Sequence, residues 1–157
     1  MKNLFLIIIA VAFSASAFCQ SRFTQPKSRE ERLNEEYCTG IFKTPDATYF
    51  DLIDDGINNS VMGYSNILDW LNGRVAGLQV YKFRGNVSIP YIRNQRAAVY
   101  IDEIPVSAEF TSLISIPDIA MIKIIKGPFI GGSSWYGNVG AILIYTMRGE
   151  DEEESED

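Results

Sequence analysis

The chain of 157 residues has no histidine and only two cysteines. Without histidine, neither a Ser-His-Asp triad nor a histidine-ligated zinc site can be assembled. Cys19 lies inside what reads as an export signal, so after cleavage Cys38 stands alone and no intramolecular disulfide framework is possible. With no imidazole to take its proton, Cys38 is read as a small apolar filler or an inert thiol and not as a nucleophile. Long apolar runs are also scarce. Leu4–Phe13 is unbroken, but at roughly ten residues it is too short to cross a bilayer. Excess charge of one sign is missing from the body: Gln20–Gly149 carries thirteen acidic and thirteen basic residues. The net charge of −6 therefore comes from the ends of the chain, and nothing in the body favours nucleic acid.

What is present begins with targeting. Lys2, the short apolar core and the small residues Ser14–Ala17 make residues 1–19 a cleavable signal, with Ala17-Phe18-Cys19 placing the cut before Gln20. A lipidated Cys19 is the rival reading, but bulky Phe18 stands where a lipoprotein signal carries a small residue. The mature chain then has no membrane span. Residues 20–36 are polar and include the run KSREERLNEE, expected to be a flexible lead or a loosely held helix. Residues 37–149 suit a single domain with its own core. Residues 150–157 hold seven carboxylates and read as a solvated, disordered acidic tail.

Within the body, Asn66 can cap a helix in which Ile67, Leu71 and Val75 recur on one face. Gly77 is expected to end that helix and Gly73 to lie inside it, at a propensity cost of about 1 kcal/mol that suggests close packing on a sheet. Leu78–Phe83 reads as a strand. Ala97–Asp102, a short helix over Ser107–Ser115 and Ile119–Lys126 read as a βαβ unit. Gly127-Pro128 breaks that last strand. Ala141–Met147 is apolar on both faces and is expected to be central. The predicted class is α+β: a small mixed β-sheet with packed helices and a βαβ unit.

Several patterns suggest chemistry and are outweighed. Asp54–Asn59 lacks the alternating ligands and distal glutamate of a calcium loop, which leaves a turn. Gly127–Ser134 has the spacing of a phosphate-binding loop, but Ser133 occupies the lysine position. Adjacent Asp102 and Glu103 at a strand end point to opposite faces, so they do not converge on one reacting atom. No metal site and no cofactor is expected. Of the aromatic residues Tyr81, Phe83, Tyr91, Tyr100, Phe129, Trp135 and Tyr136, most are expected in the core because they fall in or beside strands. Phe129, Ser133, Ser134, Trp135 and Tyr136, in or beside a glycine-rich loop, are the candidates for a binding surface.

The order GRVAGLQV (Gly73–Val80), Tyr100-Ile101-Asp102, Ile119…Lys126-Gly127-Pro128, Tyr136-Gly137…Gly140 and a closing strand to Arg148-Gly149 resembles the plug domain of TonB-dependent outer-membrane receptors. Each fragment is weak alone; the specificity lies in the combination, over about Ile67–Gly149. The resemblance makes Gly73, Arg74, Gly77, Asp102, Gly127, Gly137 and Gly140 structural motif positions. Family plugs usually read Asp-Gly where this chain has Asp102-Glu103. In full receptors the plug fills a 22-stranded barrel, which needs about 220 residues in strands alone. The expectation is thus a plug without its barrel: a secreted periplasmic, non-catalytic binding module, accessory to a TonB-dependent uptake system. Its expected partner is an outer-membrane or periplasmic protein, with a TonB-dependent barrel among the candidates. The alternatives are a periplasmic hydrolase using Asp102, Glu103 or Asp118, and an inactive receptor remnant.

Overall fold

The computed structural model describes residues 27–53, 55–83, 85, 87–129 and 140–148. The expected signal, the first residues of the polar lead and the acidic tail lie outside these. The first element, α1 (Arg29–Tyr37), begins at Ser28, whose hydroxyl accepts from the Glu31 N–H while the Glu31 carboxylate accepts from the Ser28 N–H. This reciprocal cap satisfies two donors that a helix start leaves unpaired. Residues 20–36, expected as a flexible lead or loosely held helix, therefore contribute most of a capped helix. Its Leu33 and Tyr37 are buried, and burying side chains of this size stabilises by about 1.5–3 kcal/mol each.

The main sheet has five strands in the order β1 (Thr48–Asp51), β7 (Ile119–Ile125), β8 (Ala141–Thr146), β5 (Ala98–Ile101) and β6 (Ile104–Val106). Only the β5–β8 pair is parallel. A second sheet carries β2 (Leu78–Phe83), β3 (Val87–Ile92) and β4 (Gln95–Arg96), all antiparallel. Two short helices, α2 (Asp55–Val61) and α3 (Ile67–Leu71), and 3-10 turns at Gly40–Phe42, Ala108–Ser112 and Ile116–Asp118 complete the α+β fold.

Strand β8 sits at the centre, as its two apolar faces predict. Ile142 and Ile144 join Ile122, Ile124, Trp70, Leu71, Leu78 and Ile92 in one core, between the main sheet and α3 with the second sheet. Ala141, Leu143 and Tyr145 face the other way and meet Leu33, Tyr37, Cys38 and Met121 beneath α1. A register shift between Ile119 and Met121 turns Ala120 and Met121 to the same side as these residues. An extra residue in one strand of a pair has this effect, because the two-residue alternation is interrupted once.

Two expectations are corrected. The βαβ unit over Ala97–Lys126 is not formed: β5 and β7 are separated by β8, and since β5 is parallel and β7 antiparallel to it, they run in opposite directions. The connecting helix is a single 3-10 turn over Ala108–Ser112. The helix expected to continue to Gly77 stops at Leu71, because Asn72 is already extended at ψ 123° and Gly73 takes φ +80°. A side-chain carbon at Gly73 would meet nothing within 4 Å, so this glycine serves a turn and not close packing on a sheet.

Candidate functional site

The loop singled out for binding leaves the end of β7 and returns at Gly140. Ser133, Ser134, Trp135, Tyr136 and Gly137 lie outside the described residues. Phe129 is described: its ring stands 5.4 Å from that of Phe42 and 5.8 Å from that of Tyr100, so it anchors one root of the loop into the core beneath α1. At the other root, Gly140 is buried, and an added side-chain carbon would lie 2.6 Å from the Ile125 carbonyl oxygen. The Gly140 carbonyl accepts from the Ala98 N–H at 3.2 Å, which starts the parallel pairing of β5 with β8. At Gly127 an added carbon would find open space.

Asp102 and Glu103 form the turn between β5 and β6, with φ +47° and +69°. A two-residue turn of this left-handed kind fits the twist of the flanking strands, which is why asparagine, aspartate and glycine are usual there. Each carboxylate has its own structural task. The Asp102 oxygens accept from the Thr146 N–H at 2.9 Å and the Thr146 hydroxyl at 2.8 Å, beyond the Asp102 N–H to Ile144 carbonyl bond at 2.9 Å. The Glu103 oxygens accept from the Thr39 N–H at 2.6 Å, from the Thr39 hydroxyl and from the Tyr145 hydroxyl at 3.3 Å. One carboxylate thus extends the parallel ladder, while the other ties the chain after α1 to the sheet. The two carboxylates thus face different partners, Thr146 for Asp102 and Thr39 with Tyr145 for Glu103.

Arg74 is held by α3. Its guanidinium donates to the Trp70 carbonyl at 2.5 Å and lies over the rings of Trp70 and Tyr64, at 4.8 and 5.5 Å. Gly77 takes φ +82°, and its carbonyl accepts from the Arg93 N–H at 3.0 Å where β2 begins to pair.

Sequence reasoning passed over the most unusual group. Lys123 projects from β7 into the core beneath α1 and is fully buried. Its ammonium donates to the Asn34 amide oxygen and to the Phe42 carbonyl, both at 2.5 Å, lies 3.7 Å from the Cys38 sulfur and stands 5.1 Å from the centre of the Tyr49 ring. Burial disfavours the charged form and draws its pKa below the usual lysine value, against smaller opposing contributions from Cys38 and Glu103. The same burial pushes the Tyr49 hydroxyl up to about 12, with Cys38 adding to it, and raises Tyr100 and Tyr145 as well. The available signal was one lysine in the apolar run Ile119–Ile125.

The aromatic residues divide differently from expectation. Tyr100 is buried, but Tyr81 and Phe83 are 46% and 52% exposed, because Gln79, Tyr81 and Phe83 lie on the face of β2 opposite Leu78 and Val80, away from the core. Tyr91 sits edge-on to Tyr81 at 5.2 Å. The inference that strand aromatics are core fails here because the second sheet is packed on one side only.

Among the described residues no group of three or more metal-ligating side chains occurs. None of their helices is long and apolar enough to cross a membrane, which says nothing about a β-barrel.

No protein-family model and no curated protein matches the chain. Solved structures do. A chain of the FpvAI–pyocin S2 complex aligns over 68% of this chain with a TM-score of 0.52 and 17% identity. The ferric yersiniabactin uptake receptor FyuA of Yersinia pestis aligns over 68% with a TM-score of 0.50 and 19% identity. A mutant of the ferric enterobactin receptor PfeA of Pseudomonas aeruginosa aligns over 78% with a TM-score of 0.52 and 15% identity. The present chain spans 15%, 18% and 19% of those chains, respectively. At such identities the likeness is one of fold, and it is consistent with the plug-like motif order. The structures so matched include uptake receptors for ferric yersiniabactin and ferric enterobactin.

Proposed function

We propose that this chain is a non-catalytic, plug-like binding module of an outer-membrane uptake system. It acts in the periplasm or at the inner face of the outer membrane, and its partner is an outer-membrane or periplasmic protein, with a TonB-dependent barrel the first candidate. The observation that carries this reading is the fold likeness to uptake receptors over two thirds or more of the chain. The local chemistry supports it: the two adjacent carboxylates are occupied by Thr39, Thr146 and Tyr145, so the hydrolase alternative loses its natural acid–base pair. A neutral body suits contact with protein better than with nucleic acid.

Phe129, at the root of the candidate loop, and Trp135 within it are the places to test contact. A photo-crosslinking amino acid at position 129 or 135, expressed in the native envelope, should capture an outer-membrane or periplasmic protein. Deleting Glu150–Asp157 should leave folding unchanged. Failure to capture any envelope protein, together with turnover of a substrate that is lost in Asp102→Asn, would replace this reading with the hydrolase.

A further inference from the structure

Cys38 and Lys123 are 1% and 0% exposed, and Sγ lies 3.7 Å from Nζ. The amine is held there by two fixed acceptors, the Asn34 amide oxygen and the Phe42 carbonyl. Asn34 belongs to α1, Cys38 ends it and Phe42 follows it, so three points of this segment converge on one side chain of β7. Cys38 is also the only free thiol among the described residues. A sulfenic acid formed on it would have the Lys123 amine within 3.7 Å and, among the described residues, no second cysteine with which to make a disulfide.

We propose that Cys38 and Lys123 are a redox modification site, at which hydrogen peroxide, the two-electron oxidant, drives formation of a covalent sulfur–nitrogen bond between α1 and β7. In the first step Sγ attacks one peroxide oxygen, the O–O bond breaks, and the thiol becomes a sulfenic acid with release of one water. In the second, the lone pair of Nζ attacks Sγ, the S–O bond breaks, and the hydroxide leaves with a proton from the amine as a second water. The sulfur is oxidised by two electrons, the peroxide is reduced to two waters, and the two side chains together lose two hydrogens. The attack requires a free-base amine, and burial of Lys123 shifts its equilibrium in that direction. Peroxide, little larger than water, reaches the sulfur through local opening of α1, which costs less free energy than global unfolding. The bond joins residues 85 apart in sequence and fastens α1 to the central sheet.

The test treats the folded mature protein with hydrogen peroxide and follows intact mass and peptide maps. The expected product is lighter by about 2 Da, with one peptide linking Cys38 to Lys123 that separates on thiol reduction. In Lys123→Arg the guanidinium keeps its charge and offers no free-base amine, so Cys38 should proceed instead to sulfinic and sulfonic acids, heavier by about 32 and 48 Da. If that variant does not fold, the wild-type peptide map decides alone. Wild-type Cys38 recovered as a free thiol, or as the higher acids with Lys123 still open to acetylation, would overturn the proposal.

Discussion

Glu103 places a residue with a Cβ where the turn asks for φ +69°, and its carboxylate there accepts hydrogen bonds from Thr39 and Tyr145. Forcing a residue with a Cβ into the left-handed region costs roughly 1–2 kcal/mol, and glycine escapes that cost. Hydrogen bonds to a charged group contribute about 1.5–3 kcal/mol. Glu103→Ala loses the bonds and keeps the strain, whereas Glu103→Gly loses the bonds and relieves the strain. The alanine variant should therefore be the less stable of the two by about 1 kcal/mol in urea unfolding. Equal midpoints would show that the turn is not strained. The same comparison explains how a glutamate can stand at this turn position: the local penalty is offset by a contact 64 residues away in sequence.

At the scale of elements, the joints decide more than the interiors. Gly140→Ala would press a methyl group to within 2.6 Å of the Ile125 carbonyl oxygen, a backbone atom that can yield only if β7 and β8 separate. Overpacking of this kind costs about 1–3 kcal/mol. Gly77→Val meets no neighbour but must hold φ +82°, so its cost of at least about 1 kcal/mol is conformational. Urea midpoints should fall for both, and a fall for Gly77→Val alone would show that the β7–β8 junction relaxes freely. Strand β2 matches its predicted bounds, Leu78–Phe83, and β8 its central place, because alternation and glycine boundaries are local signals. The βαβ unit did not, because whether two strands are neighbours depends on a third strand that arrives later in the chain. Nothing between Ala97 and Lys126 states that β8 will insert.

For the molecule as a whole, the core beneath α1 contributes a pH dependence of stability. Tyr49, Tyr100 and Tyr145 hold their protons above the ordinary value of 10, Tyr49 up to about 12. Above pH 10 the unfolded chain loses these protons while the folded chain keeps them, so stability falls as pH rises from 10 towards 12. Lys123 acts in the opposite sense at lower pH: between its lowered value and 10.5 the unfolded chain binds the extra proton, and stability rises with pH. Urea midpoints measured from pH 8 to 12 should rise or hold to about pH 10 and then decline, and tyrosine ionisation followed by absorbance should lag behind that of the denatured chain. A constant midpoint to pH 12 would contradict the burial of these hydroxyls.

The sequence by itself determined the α+β class, the positions of the strands that alternate or run apolar, the absence of histidine chemistry, and the motif order that resembles a plug domain. Those properties depend on residue types and on neighbours a few positions apart. Only the tertiary structure decided that Lys123 is enclosed by Asn34, Cys38 and Phe42, residues 89, 85 and 81 positions away. It likewise decided that Tyr81 and Phe83 face solvent and that Asp102 and Glu103 serve different partners. The physical reason is that burial and pairing are set by which distant segments meet: a strand's alternation fixes that it has two faces, and the rest of the chain settles which of them is covered.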